Sequence, residues 1–261
     1  MLKTRIISAA VGLPLIFFIV LKGGVYLQFF LILLSMIGLY EFYNVLKNID
    51  IIPIKIFGYL SILFFYLTEN LMDNKDIFIL ITMIIFSVPI FINRYNIKDV
   101  SLTIIGIIYV LFFSYIGKLR ELNEGYLIVW FVFIISWLTD TFAYFTGRFF
   151  GKTKLCSILS PNKTLEGAIG GIFGSIFGSI IFTYLFFDKL KISILFVLVL
   201  SISGSVVAQV GDLFASSVKR YCHIKDYGNI IPGHGGIIDR FDSILYVAPY
   251  VYFMFNYLHM K

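Results

Sequence analysis

Residues 217–242, SVKRYCHIKDYGNIIPGHGGIIDRFD, gather Ser217, Lys219, Arg220, Lys225, Asp226, His234, Asp239, Arg240 and Asp242 in an otherwise apolar chain. Asp212 stands just upstream, and glycines at 228, 233, 235 and 236 punctuate the stretch around Pro232. Carboxylates are hard oxygen ligands of the kind magnesium takes, one or two at a time, beside substrate phosphates. Lysine and arginine neutralise phosphate oxygens. Gly233, Gly235 and Gly236 ahead of a helix let backbone N–H groups approach an anion, and the helix N-terminus adds positive potential. Carboxylates, cations and a glycine turn at this spacing point to phosphoryl or nucleotidyl transfer. A lone histidine is more often structural than catalytic, but His234, set among three glycines, is a candidate acid–base group.

A second cluster spans 140–166 and holds Asp140, Lys152, Lys154, Lys163 and Glu166. Asp140 falls inside an apolar run, where a carboxylate costs about 2.5–3.5 kcal/mol on insertion scales. Either it lies near a membrane surface, bonded to Thr139 or Thr141, or it faces a polar cavity; the second reading is preferred. Gly147-Arg-Phe-Phe-Gly-Lys-Thr is not a P-loop, because only three residues separate its glycines and no strand precedes it. Asn162-Lys163-Thr164 has the form of a glycosylation site, but on a cytosolic loop it would go unused. Ser160-Pro161-Asn162 predicts a helix start with Glu166 in the first turn.

The elements that must position these groups are membrane helices. The chain has 261 residues, 59% hydrophobic and 14% charged, with mean hydropathy +0.93, far from the soluble average of about a quarter charged. The continuous apolar runs lack the period-two alternation of barrel strands, so an all-α polytopic fold of nine spans is predicted. They are 6–21, 25–43, 51–68, 77–93, 100–117, 126–147, 167–187, 192–211 and 237–258. Asp212 then ends span eight, Asp239 begins span nine, and Asp242 lies one turn further. A lone carboxylate at a helix end is usually solvated, and near an N-terminus it favours the macrodipole. Here two helix ends each bring one.

Fourteen of the 21 lysines and arginines fall at the N-terminus, in the loops after spans two, four, six and eight, or, as Lys55 and Arg240, in the first residues of the span that follows such a loop. That bias places the N-terminus and both polar loops (148–166 and 212–238) in the cytosol. Scattered along loops, the net charge of +6 suits anionic lipid rather than nucleic acid. The basic, apolar opening lacks a cleavage site and reads as a retained helix. Cys156 and Cys222 read as free thiols. Residues 1–120 read as scaffold with isolated polar groups (Glu41, Asn44, Glu69), and 121–261 as the catalytic region. Gly170, Gly174 and Gly178 share one face of span seven, which packs either within the protomer or against a second copy.

Ser217-x-Lys219-Arg220, Lys225-Asp226-x-Gly228, Pro232-Gly233-His234-Gly235-Gly236 and Asp239-Arg240-x-Asp242 together resemble the signature of the phosphatidate cytidylyltransferases. Asp140-Thr-x-Ala-Tyr144, Gly147-Arg148, Gly151-Lys152 and Ser160-Pro161-x-Lys163-Thr164-x-Glu166-Gly167 are similar to that family's other recurring stretch. The resemblance covers residues 137–242. It implies a membrane enzyme that joins CTP to phosphatidic acid, with magnesium, sometimes accompanied by potassium, and a homodimer; the short chain without an added soluble domain favours a bacterial plasma membrane over that of an organelle. By the same resemblance Asp212 and Asp239 hold the metal. Lys219, Arg220, Lys225 and Arg240 would share phosphate charge, and Asp140, Lys163 and Glu166 would line one cavity and position substrate. Two rival readings are a CTP-dependent polyprenol kinase, which would transfer the γ-phosphoryl group, and a cation-coupled transporter. Crowding of the polar residues into the C-terminal half disfavours the transporter.

Overall fold

Apolar runs with no water to satisfy their backbone must close their hydrogen bonds internally, and in the computed structural model they do so as helices. Residues 2–68 and 74–259 are described. Glu69 and the side chains of Lys3, Arg5, Lys75 and Lys261 lie outside the described residues. The helices are α1 (Leu2–Lys22), α2 (Gly24–Leu46), α3 (Lys55–Thr68), α4 (Asn74–Phe91), α5 (Ile97–Leu111), α6 (Ser114–Glu121), α7 (Gly125–Ile128) and α8 (Trp130–Phe150). After two short strands, β1 (Lys154–Cys156) and β2 (Ser160–Thr164), come α9 (Leu165–Leu185), α10 (Phe187–Leu190), α11 (Ile194–Tyr221) and α12 (Ile238–Phe253).

Among the described residues five helical stretches are long and apolar enough to cross a membrane: Gly24–Ile49, Ile97–Glu121, Gly125–Phe150, Leu165–Leu185 and Ile194–Tyr221. The protein is therefore an integral, predominantly helical membrane protein. Shorter apolar helices occupy Ala10–Lys22, Lys55–Thr68 and Ile79–Phe91. At a rise of 1.5 Å per residue α3 extends only about 21 Å, against a hydrocarbon core of about 30 Å.

Two compact units divide the chain: Met1–Ser114 with Tyr221–Arg240, and Tyr115–Arg220 with Phe241–Lys261. In the first, α2 packs against α3 and α5. Gly58 and Gly106 let those helices close on Tyr43, since a Cβ would stand 2.3 Å from its hydroxyl at Gly58 and 2.9 Å from its ring at Gly106. The Tyr43 hydroxyl donates to the Thr103 carbonyl at 3.0 Å. Asn96 and Asp99 form a capping box at the start of α5, and Asp99 also accepts from the Ile52 N–H at 2.8 Å.

In the second unit the glycine face of α9 meets α8. A Cβ at Gly174 would lie 2.4 Å from Phe142, at Gly170 2.1 Å from Thr146, and at Gly178 2.0 Å from Leu138. The small-residue face thus packs within the protomer, where close backbone approach strengthens dispersion contact. Gly211 of α11 lies equally close to α12, its Cβ position 2.8 Å from the Asp242 carbonyl. Hydrogen bonds cross the same bundle, from Thr139 to Ser205 at 2.9 Å and from Gln209 to the Ala168 carbonyl at 3.1 Å.

Two local expectations need correction. Residues 160–164 form the second strand of an antiparallel ribbon, with Lys154 opposite Thr164 and Cys156 opposite Ser160, not a helix start. Pro161 is tolerated because a two-stranded ribbon is all edge. The cap of α9 is Thr164, whose Oγ1 accepts from the Gly167 N–H at 3.1 Å. Second, α11 runs on to Tyr221, so Asp212, Ser217, Lys219 and Arg220 are helical. No glycine or proline interrupts it after Gly211, and Lys219 and Arg220 in its last turn complement the helix dipole.

Candidate active site

In the second unit α8, the ribbon, the start of α9 and the middle of α11 enclose a cavity of about 430 Å³. Asp140, Tyr144, Arg148, Lys163, Gln209 and Asp212 are among its lining residues. Lys163 comes from β2 and forms an ion pair with Asp212 of α11. The Lys163 ammonium is itself shut off from solvent, although both side chains remain about a quarter exposed. Asp140 accepts from the Ser243 hydroxyl at 3.2 Å. Arg148 donates to the Tyr144 hydroxyl at 2.9 Å, one helical turn back along α8.

Asp242 is 9% exposed, and its Oδ1 accepts from the Ser243 N–H at 2.8 Å. Asp212, Asp140 and Lys219 lie within electrostatic range of it, and Lys163 pairs with Asp212. Glu166 is not in the cavity wall. It accepts from the Lys152 and Thr153 N–H groups, both at 3.1 Å, and so holds the chain entering β1. Arg220 Nε donates to the Leu159 carbonyl at 3.2 Å, which ties the tip of the ribbon to α11. Ser217 bonds back to the Phe214 carbonyl of its own helix at 2.7 Å.

In the first unit the glycine turn is a closed structure. Ile231 and Gly235 form an isolated antiparallel bridge, and Gly233 (φ 78°) and Gly235 (φ 84°) adopt left-handed backbone that side-chain-bearing residues avoid. Asp239 Oδ2 accepts from the Tyr227 N–H at 2.8 Å and the Gly236 N–H at 3.0 Å. Arg240 Nε donates to the His234 carbonyl at 2.7 Å, and His234 Nδ1 lies 2.7 Å from the Ser8 hydroxyl. Lys225 and Asp226 are exposed.

The N-terminus of α12 does not present open N–H groups to a substrate anion as expected. Glu41 Oε1 accepts from Ile237 N–H and Oε2 from Ile238 N–H, each at 2.9 Å. The anion at this helix start is the chain's own carboxylate. Glu41, taken from sequence as an isolated polar group of the scaffold, is 1% exposed and belongs to the turn. Gln209 and Ser243 are further site residues with no mark in the sequence, since a single amide or hydroxyl in an apolar run carries no pattern.

The carboxylates fit a hard cation by donor type. Asp212 reaches the cavity with Lys163 as its ion-pair partner, and two backbone donors hold Asp239. Among the described residues no three His, Cys, Asp or Glu side chains converge closely enough to bind a metal by themselves.

The model of the cytidylyltransferase family matches residues 3–258. The chain is 37% identical over 256 residues to the phosphatidate cytidylyltransferase of Staphylococcus haemolyticus, covering 95% of this chain and 96% of that protein. It is 36% identical over 256 residues, with the same coverage, to that of a Staphylococcus epidermidis strain. To the Bacillus subtilis phosphatidate cytidylyltransferase it is 30% identical over 264 residues, 97% of each chain.

Proposed function

The chain belongs to the cytidylyltransferase family, and from that premise we propose that it transfers the cytidylyl group of CTP to phosphatidic acid. The products are CDP-diacylglycerol and pyrophosphate, for phospholipid synthesis. A phosphate oxygen of the lipid attacks the α-phosphorus of CTP, the bond to the β-phosphate bridging oxygen breaks, and pyrophosphate leaves with those electrons. The lipid phosphate is nucleophilic at neutral pH, so no covalent enzyme intermediate is needed. The observation that carries this reading is a cavity among membrane-spanning helices whose wall sets Lys163 against Asp212, with Asp140 and Arg148 beside them.

Both substrates are anionic, so the protein's work is to neutralise and align phosphates. Lys163 and Arg148 supply positive charge inside the cavity wall. Lys219, Arg220, Lys225 and Arg240 supply it on α11, the following loop and α12, and Asp140 orients substrate from α8. Glu166 positions substrate indirectly by holding residues 152–153. His234 keeps its turn in shape through its carbonyl and its ring. Asp212 and Asp239 are the carboxylates proposed to hold magnesium, which when bound draws phosphate oxygens together and offsets charge on the leaving group.

Nine crossings, a cytosolic N-terminus and a site facing the cytosol of a bacterial plasma membrane complete the proposal, supported by the distribution of lysine and arginine. A homodimer is the expected assembly. The deciding test incubates purified protein and phosphatidic acid with CTP labelled at the α- or γ-phosphate, with and without magnesium. Magnesium-dependent label in lipid from α-labelled CTP alone is expected. Lipid labelled from γ-labelled CTP instead would make the protein a kinase and overturn the reading.

A further inference from the structure

We infer that Glu41 is a positioning residue for the reaction, acting from the second helix on the glycine turn that carries Asp239. The inference rests on the reading above, in which Asp239 binds the metal. Three observations converge on it. The Glu41 carboxylate is buried and spends one oxygen on each of two consecutive N–H groups, Ile237 and Ile238. The preceding N–H, that of Gly236, goes to Asp239 Oδ2, so the two carboxylates divide the start of α12 between them. Finally, two glycines of the turn leave room for Glu41 and for nothing larger. A Cβ at Gly228 would lie 2.9 Å from Glu41 Oε1, and one at Gly236 2.5 Å from Oε2.

A solvated capping residue would serve if the helix needed only a cap. A buried, doubly bonded carboxylate from a helix about 200 positions away in the chain does more, because it fixes where the turn stands. Glutamine at this position keeps the size but sets an amide NH₂ against one of the two N–H donors, and the turn must shift. A displacement of about 1 Å in a group that holds a reactant can cost about a hundredfold in rate.

The test uses the full-length protein in detergent, as wild type, Glu41→Gln, Gly228→Ala and Asp239→Asn. For Glu41→Gln the expected result is turnover lower by roughly ten- to a hundredfold. Half-maximal activation should need about fivefold more magnesium, and the rise in melting temperature on adding magnesium should shrink in parallel. Trypsin cleavage after Lys225 should speed up roughly tenfold. Gly228→Ala, which leaves the carboxylate intact and crowds it, should move the same readouts in the same direction. Wild-type magnesium response and wild-type cleavage in both variants would overturn the role of Glu41. So would a loss of turnover matched only by a loss of folded protein, with the magnesium response unchanged. If Asp239→Asn leaves the magnesium response untouched, the metal reading fails instead. If the wild type transfers no cytidylyl group, the cleavage rates alone decide Glu41.

Discussion

Lys163 and Asp212 form an ion pair in the cavity wall; in the proposed reaction the first meets phosphate charge and the second the metal. Removing the charge from either proposed metal ligand should be felt in turnover and not in folding. Asp212→Asn and Asp239→Asn are each expected to lower turnover by at least about a hundredfold, with wild-type elution and helical content. Activity within tenfold of wild type would sink the ligand role of that residue. At this scale the C-terminal signature was legible, because a run of charges between two apolar stretches has few explanations. Glu41 was not. Its partners are 196 and 197 residues away, and a single acid near the end of an apolar helix carries no local mark of what it will touch. The helix start that follows residues 233–236 does receive an anion, but from another part of the chain, at the Ile237 and Ile238 N–H groups.

Among the elements, the pairing of α8 with α9 makes the sharpest prediction. At Gly174 an added methyl meets Cβ and Cγ of Phe142, atoms tied closely to the backbone of α8. At Gly178 it meets Cδ1 of Leu138, the movable end of a side chain. Gly174→Ala should therefore destabilise by about 1–3 kcal/mol, as overpacking does, while Gly178→Ala should cost clearly less. Thermal denaturation in detergent measures both, and equal melting points for the two variants would contradict the packing described. The glycine spacing was visible in sequence, but not which helix would receive it. The ribbon 154–164 was missed because Ser-Pro-Asn is also a good helix opening. Only the Thr164 cap, settled by its bond to Gly167, shifts the start to Leu165.

For the whole molecule, two thiols report on folding and orientation together. Cys222 is fully buried, and burial pushes its thiol above the ordinary range, so below that raised value it stays protonated and unreactive. Cys156, on the ribbon, is partly exposed. A membrane-impermeant maleimide added to inside-out vesicles at pH 7 is expected to modify Cys156 and spare Cys222, and to reach neither in right-side-out vesicles. Labelling of Cys156 from the outside would reverse the proposed orientation. Composition and hydropathy made the membrane class evident, and the distribution of basic residues gave the orientation to be tested. The number of crossings was less legible, because α3 and the apolar parts of α1 and α4 are short enough that sequence alone does not separate a tilted span from a partly inserted one.

One consequence of the glycine seam reaches beyond the protomer. With Gly170, Gly174 and Gly178 already filled by Thr146, Phe142 and Leu138, α9 turns Phe173, Phe177 and Ile181 outward. Two copies meeting along that helix would join through bulky aromatic and branched side chains, which lipid tails solvate almost as well. Such a union would be governed by membrane composition and protein density more than by a lock of shape.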